Sequence, residues 1–410
     1  MKKPELLAPG GSLDKLKTAI DYGADAVYIG GDAFSLRVAA ENFTRDEMIE
    51  GLKYAHDRGK KVYLTANIVP HNDDIEEFPS FIEEIRPLGF DGILVSDLGM
   101  FDIVRTIAPE LPIHVSTQAN NVNYRSAIMW YKLGAKRVVL AREMSFKEIA
   151  EFRKHIPEDL ELEAFIHGAM CISYSGRCLL SNYMTGRDSN AGACAHPCRW
   201  NYSLVEEKRP GEYFNVTENE RGTFIFNSKD LCTIEHIPEL VQSGITSLKI
   251  EGRVKTAFYV ATVVGAYRRE IDRYCNDPDN YEFNQAELEE LCKVSHRPYT
   301  TGFYFGRPGA DAQVYETSSY IRDYELTGIV KSYNKSDNTM TVSQRNRFFE
   351  GDEIEIIQPM KPFISTVAKN MRDEHGSKIT SAPHAEQIVI MDAPCEICEG
   401  AMIRKKRIDN

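Results

Sequence analysis

The stretch that decides the fold is "WYKLGAKRVVLAR", residues 130–142. It reads as the end of a helix, a glycine, and a short apolar strand. The same phrase recurs as "AIDYGADAVYIG" (19–30), "AHDRGKKVYLTAN" (55–67), "IRPLGFDGILVSD" (85–97) and "LVQSGITSLKIEG" (240–252). A residue just past the last helical turn takes positive φ, which glycine tolerates best. The strands AVYI, KVYL, GILV, RVVL and SLKI are short and nearly continuous in apolar character, as in a parallel sheet buried on both faces. Helical stretches lie between them. "SLDKLKTAIDY" opens on Ser12 as N-cap, and "TRDEMIEGLKYAHD" opens on Thr44 with Glu47 three residues on, a capping box. "PELLAP" (4–9), "PIHVSTQ" (112–118) and "LELEAFIHG" (160–168) supply further strands. Eight strands alternating with helices predict an α/β fold of the TIM type, a (β/α)8 barrel, rather than an open doubly wound sheet. No GxGxxG follows the first strand, which lowers the dinucleotide-binding reading.

The pattern breaks once. About eighty residues separate strand seven, near His167, from strand eight, near Ser247. This gap holds a cysteine-rich insertion at about 168–235, within a barrel expected over 1–275. Because the gap follows the C-terminal end of a barrel strand, it belongs to the face where such barrels build active sites. Residues 276–320 read as a connector with one helix, "NQAELEELCKVSH", and an aromatic segment, "TTGFYFGRPG". From 321 to 410 the apolar residues alternate with period two between turn signals, which predicts a small C-terminal β-barrel domain.

The totals narrow the class. Of 410 residues, 42% are apolar and 27% charged, ordinary values for a soluble globular chain. No apolar run approaches the roughly 20 residues of a membrane span, and no apolar segment follows the N-terminal lysines. A cytoplasmic location with reduced thiols is expected, and an odd total of nine cysteines fits it. A formal net charge of −12 argues against a general nucleic-acid-coating protein, since such binders neutralise phosphates. Local basic patches remain open at Arg268 and Arg269, at Arg345 and Arg347, and at Arg404 to Arg407, with a solvated face the first reading of each.

Four of the nine cysteines, Cys171, Cys178, Cys194 and Cys198, fall in thirty positions with spacing C-x6-C-x15-C-x3-C. Structural zinc usually takes two tight cysteine knuckles, and only one tight pair exists here. A cubane iron–sulfur cluster also needs four thiolates and tolerates wider spacing. Gly168, Gly176, Gly186 and Gly192 would let backbone N–H groups approach such a cluster. His196 is an alternative ligand. Four structural thiols are the plain alternative.

"EAFIHGAMCISYSGRCLLS" (163–181), with "GACAHPCRW", "NSKDL", "SLKIEGR" and "TTGFYFG" in order, resembles the signature segments of peptidase family U-32, and most closely its tRNA 5-hydroxyuridine branch. The resemblance covers most of the chain. It implies a TIM barrel carrying an oxygen-sensitive 4Fe–4S cluster, with tRNA as partner, wobble uridine hydroxylated without molecular oxygen, and prephenate as co-substrate. Relatives hydroxylate ribosomal RNA or quinone precursors, some working as paralogous pairs, so a paralogous subunit or a second copy is an expected partner. The family name comes from collagenase activity ascribed to early members. Carried over position by position, the resemblance makes Cys171, Cys178 and Cys194 cluster ligands, with Cys198 as the fourth and Cys232 in reserve. Cys395 and Cys398 form a distant C-x2-C read as structural.

Polar residues at the strand ends would line the barrel mouth. Arg37, Asn67, His114 and Gln118 are candidates for substrate binding, with Asp97, Ser116 and Glu143 at neighbouring strand ends. Arg142, Lys249, Glu251 and Arg253 are candidates for catalysis, with Glu163 and His167 for proton transfer. Arginines suit a dicarboxylate such as prephenate, because each can grip a carboxylate bidentately. Structural ion pairing is the competing reading for each. A peptidase would need an activated nucleophile. No H-E-x-x-H or G-x-S-x-G is present, and Cys171 beside His167 is the one pair that could be pressed into service. A bare electron carrier has no use for a lined pocket.

Overall fold

A computed structural model describes residues 3–36, 42–171, 173–174, 177–190, 192–200, 203–205, 213–215, 227–308, 313–314 and 320–407, with 199, 203–205, 213–215, 227 and 313–314 described in backbone alone. The expected barrel is present. Strands β1 (Glu5–Pro9), β2 (Ala26–Gly30), β3 (Lys61–Thr65), β4 (Gly92–Val95), β5 (Ile113–Val115), β6 (Arg137–Val139) and β7 (Glu161–Ala169) pair in parallel in chain order. After β8 (Asp230–Cys232), strand β9 (Ser247–Ile250) pairs in parallel with both β7 and β1 and closes the ring. Helices α1 (Leu13–Asp21), α2 (Arg45–His56), α3 (Asn72–Ile85), α4 (Leu98–Ile107), α5 (Tyr124–Leu133) and α6 (Phe146–Lys154) alternate with the strands. Gly23, Gly59, Gly89, Gly134 and Gly244, the five glycines of the repeated phrase, all have positive φ. Ser12 accepts from the N–H of Lys15, and Thr44 and Glu47 form the reciprocal capping box.

The barrel centre departs from the apolar reading of its strands. The guanidinium of Arg137, 3% exposed, donates to Glu5 at 2.7 Å, Glu161 at 2.6 Å and Glu163 at 3.0 Å. Lys249 donates to the second oxygen of Glu163 at 2.7 Å. The outward residues of these strands supply the apolar character that marks them in the sequence; the inward ones form a buried ionic layer.

Strand β7 is nine residues long and serves two sheets. Its first half lies in the barrel. Its second half pairs antiparallel with β8, which pairs in parallel with β10 (Tyr299–Thr300). At the junction the register against β9 slips: Lys249 faces Phe165, but Ile250 faces His167. One extra residue, Ile166, is a β-bulge, and it reverses which side of the strand the following residues face.

Two short helices come first, α7 (Leu180–Thr185) in the insertion and α8 (Ile237–Gln242) before β9; helix α9 (Ala257–Asn276) then packs on α1, and α10 (Gln285–Leu291) on α9. The C-terminal domain is an antiparallel sheet in which β11 (Tyr324–Asn334), β12 (Thr339–Gln344), β13 (Glu353–Ile357), β14 (Ile364–Val367), β15 (Ile388–Asp392) and β16 (Met402–Lys406) take the order β14-β13-β16-β11-β12-β15. The chain after β14 bends to the far edge, where Arg372 and Ile390 exchange backbone hydrogen bonds and Asp392 donates to the Lys369 carbonyl, so the sheet curls into a barrel-like form. Its own core includes Val330, Met340, Val342, Ile354, Ile356 and Val389. Arg404, fully buried, donates to Glu290 on α10 at 2.6 Å and to Glu355 on β13 at 2.8 Å, joining the two domains.

These contacts correct the basic-patch expectations. Arg404 is an interdomain ion pair, and Lys405 pairs with Asp352 at 2.9 Å. Arg268 pairs with Asp25, and Arg269 with Glu287 at 2.6 Å. None of these is a free phosphate contact. Arg345 donates to Ser343, and Arg347 lies over the exposed ring of Phe349 at 4.8 Å. No helix of the described residues is long and apolar enough to cross a membrane.

Removing one partner of a buried ion pair leaves the other desolvated and uncompensated, which costs about 3–5 kcal/mol. Arg404→Met should destabilise the chain by about that amount in urea unfolding, and Arg404→Met with Glu290→Gln should recover part of the loss.

Candidate functional site

A cavity of about 160 Å³ opens at the C-terminal ends of the barrel strands. Its floor and walls come from successive strands: Tyr28 from β2, Thr65 from β3, Phe165 from β7 and Lys249 from β9, with Arg142 just beyond β6 and Glu251 and Arg253 just beyond β9. Asn67 donates to Ser116 at 3.0 Å and to Gln118 at 3.1 Å, and all three line the cavity. The cysteine insertion forms the roof. Cys171, Cys178, Cys194 and Cys198 all line the same cavity, with Ser181, Ser189 and His196 beside them.

The polar groups are held in fixed positions. Arg253, 4% exposed, donates to the hydroxyls of Ser35 at 2.7 Å and Thr65 at 3.0 Å. A Cβ at residue 30 would stand 2.1 Å from its guanidinium, so Gly30 is required for that side chain to cross the mouth. Arg142 donates to the Ala169 carbonyl at 2.6 Å and to Glu251 at 3.0 Å, and its guanidinium lies 3.9 Å from the ring centre of Phe165. Its buried Nε has no hydrogen-bond partner among the described residues. Lys249 sits over the Tyr28 ring at 4.4 Å while bonded to Glu163. Three cations thus converge on a cavity lined by one carboxylate, that of Glu251. The site favours an anionic ligand.

Several expected residues lie elsewhere. Glu163 is fully buried beneath the cavity, under Lys249 and Arg137. Burial alone would raise its carboxyl, but the two cations outweigh that and hold it below the usual range. It fixes Lys249 and does not reach the cavity. His114 lies in the same inner layer, its ring 4.7 Å from that of Tyr63, with Nδ1 unpartnered among the described residues. Burial, with Arg137 and Lys249 nearby, holds it neutral. His167 is the clearest correction. The bulge at Ile166 turns it outward, against the hydroxyl of Tyr267 on α9 at 3.4 Å and between the rings of Tyr259 and Tyr299. Burial, then Lys255 and His296, bring its pKa down to about 3. It cannot shuttle protons at the mouth or serve Cys171. Asp97 caps α4, accepting from Gly99 at 2.7 Å. Arg37 lies outside the described residues.

The reserve ligand is also displaced. Cys232 packs in the layer between sheet and α9, where the Tyr267 hydroxyl donates to its sulfur at 3.8 Å and burial pushes its thiol up to about 12. It does not line the cavity. The C-x2-C cysteines, Cys395 and Cys398, are free and exposed. Of the four cavity cysteines, Cys171 is exposed and the others are half-buried. The N–H of Leu180 donates to the Cys178 sulfur and that of His196 to the Cys194 sulfur, each at 3.4 Å. Such N–H donors stabilise thiolates and cluster sulfurs. The thiols surround the cavity rather than converge on a point: among the described residues no three His, Cys, Asp or Glu side chains gather closely enough to hold one metal ion. Four thiols lining one cavity are a donor set of the chemical kind that a thiolate-bound group takes. Tyr28, Thr65 and Phe165 are cavity residues that the sequence reading passed over; the period-two rule applied from Asn67 and from Glu163 would have found Thr65 and Phe165.

Because the depressed carboxyl of Glu163 gains its stabilisation when ionised, that contribution is full above its unfolded value of about 4.5 and disappears as pH falls through the lower folded value. Glu163→Gln should cost about 3 kcal/mol at pH 7, and its urea midpoint should fall less than that of the natural chain when pH is lowered below about 4.5.

Comparison with known proteins agrees with this architecture. The model of "Peptidase family U32" matches residues 11–314, and that of "Peptidase family U32 C-terminal domain" matches residues 322–404. The chain is 42% identical over 404 residues to "tRNA hydroxylation protein P1" of Bacillus subtilis, covering 98% of this chain and 95% of that protein. It is 37% identical over 437 residues to "tRNA hydroxylation protein P" of Escherichia coli, covering 97% of this chain and 95% of the other. It is 31% identical to "Collagenase" of Porphyromonas gingivalis, with 90% of each chain covered. With both of its domains matched in order, this chain belongs to peptidase family U32.

Proposed function

We propose that the chain is a tRNA-modifying enzyme that hydroxylates the wobble uridine at C5 in an oxygen-independent, prephenate-linked reaction. The observation that carries the reading is the joining of four cysteines and three cations on one cavity at the C-terminal end of the barrel strands. Similarity to relatives named for tRNA hydroxylation, over nearly the full chain, supports it. Cys171, Cys178, Cys194 and Cys198 would hold a 4Fe–4S cluster, which when bound supplies one-electron transfer.

The chain's own residues would do the rest. Arg142, Lys249 and Arg253 hold the carboxylates of the co-substrate. Glu163 fixes the Lys249 ammonium from below, so binding needs no rearrangement of that cation. Glu251 accepts from Arg142 and is the carboxylate placed to take a proton at the mouth. Phe165 and Tyr28 supply apolar walls that strengthen each charge interaction. The collagenase-like reading loses its nucleophile–base pair, because His167 faces α9 rather than Cys171.

Protein purified without oxygen should be brown. Cys171→Ser and Cys198→Ser should lose the visible absorption, whereas Cys232→Ser should keep it. Mass spectrometry of tRNA nucleosides from a deletion strain should show 5-hydroxyuridine lost and restored by the natural chain; unchanged nucleosides, together with gelatin cleavage by the purified protein, would sink the proposal.

A further inference from the structure

Behind the roof of the first cavity lies a second, of about 280 Å³. Met170 and Cys171 line both cavities, so a single turn of chain separates them. The second cavity lies outside the barrel, where β7 continues into its antiparallel pairing with β8 and on to β10. Its walls are of two kinds. The aromatic rings of Tyr174 and Phe303 flank it, and the polar side chains of Glu143, Lys229, Ser228 and Thr300 face it. The Glu143 carboxylate, held by the backbone N–H groups of Arg142 and Glu143, and the Lys229 ammonium put an acceptor and a donor in one recess. Burial raises the carboxyl of Glu143, which favours hydrogen bonding over bare charge there.

Flat rings beside a recess that offers both donors and acceptors suit a planar heterocycle with a mixed hydrogen-bonding edge. An unpaired nucleobase stacks on aromatic side chains and is read on its Watson–Crick edge in this manner. The cysteine segment that separates the two cavities also carries exposed cations. Arg177 and Arg187 are exposed and pair with no carboxylate among the described residues, and Tyr183, between them in the chain, is 86% exposed. Exposed cations with interleaved aromatic rings track a nucleic-acid backbone on an otherwise acidic body.

We propose that the second cavity receives one flipped pyrimidine base of an RNA loop, stacked at Tyr174 and Phe303 and hydrogen-bonded by Glu143 and Lys229, against the Met170–Cys171 wall. The first cavity then holds the anionic co-substrate on the wall's other side. This assignment rests on the function proposed above and adds where the base goes. The two substrates enter by different doors, and the cysteine segment stands between them.

The test uses the full chain, purified without oxygen, and two versions of one RNA hairpin, with either a uridine or an abasic residue at one loop position. Binding is read by fluorescence anisotropy at fixed salt. The natural chain should prefer the uridine hairpin by about tenfold or more, as one stacked base provides. Ser173→Trp, which fills the cavity, and Glu143→Leu, which removes the polar edge, should bind both hairpins at the abasic affinity while keeping the thermal midpoint and visible absorption of the natural chain. Variants that keep the preference overturn the assignment, as does tighter binding of a collagen-like peptide that Ser173→Trp abolishes. If the natural chain itself shows no preference, the base site is wrong, and tRNA nucleosides of the complemented deletion strain then report separately: restored 5-hydroxyuridine leaves the proposed function standing, and unrestored 5-hydroxyuridine ends both.

Discussion

One extra residue in one strand governs the catalytic half of this molecule. Up to Phe165, β7 is an ordinary barrel strand whose odd-numbered side chains point inward. The bulge at Ile166 reverses the alternation and bends the strand out of the ring. His167 is thereby turned against α9, and Gly168 comes so close to Glu251 that a Cβ there would sit 2.7 Å from its carbonyl oxygen, in a left-handed conformation besides. From that point the chain can run across the mouth, carrying Met170 and Cys171 over the cavity. Had β7 stayed in register, His167 would occupy the mouth and the cysteines would leave the barrel at another angle.

Beneath the mouth, charge replaces the aliphatic filling usual in such barrels. Arg137 binds three carboxylates, and Glu163 is shared between Arg137 and Lys249. Such a layer contributes little net stability, since desolvation offsets most of the attraction. Its effect is positional. Lys249 is held upright by a partner below it and by aromatic faces around it, and its charge stays directed toward the cavity. The mouth therefore has a positive field before any ligand arrives.

Much of this was legible in the sequence, and the failures share a cause. The helix–glycine–strand phrase fixed the barrel because helix ends and strand burial are local properties. The capping residues Ser12 and Thr44 are local in the same way. The grouping of Cys171, Cys178, Cys194 and Cys198 on one cavity was legible from topology, since whatever follows strand seven must cross the mouth. His167 was misplaced because a bulge is a one-residue change in pairing with a distant strand, and a period-two pattern does not record it. Glu163 and His114 were placed one layer too high for want of the barrel's stagger. Arg268 and Arg404 looked like surface cations because their carboxylate partners, Asp25 and Glu290, lie 243 and 114 residues away.

The buried Arg404 has a consequence for how the chain can be divided. A cut in the segment before β11 would put Glu290 on one piece and Arg404 on the other, opening both to water while Arg404 keeps Glu355 beside it. Each piece would carry half of a specific lock. Two pieces made separately in one cell have both the reason and the address to find each other, so the boundary between the domains is a natural place to build a split version of this protein whose assembly can be switched on by bringing the halves together.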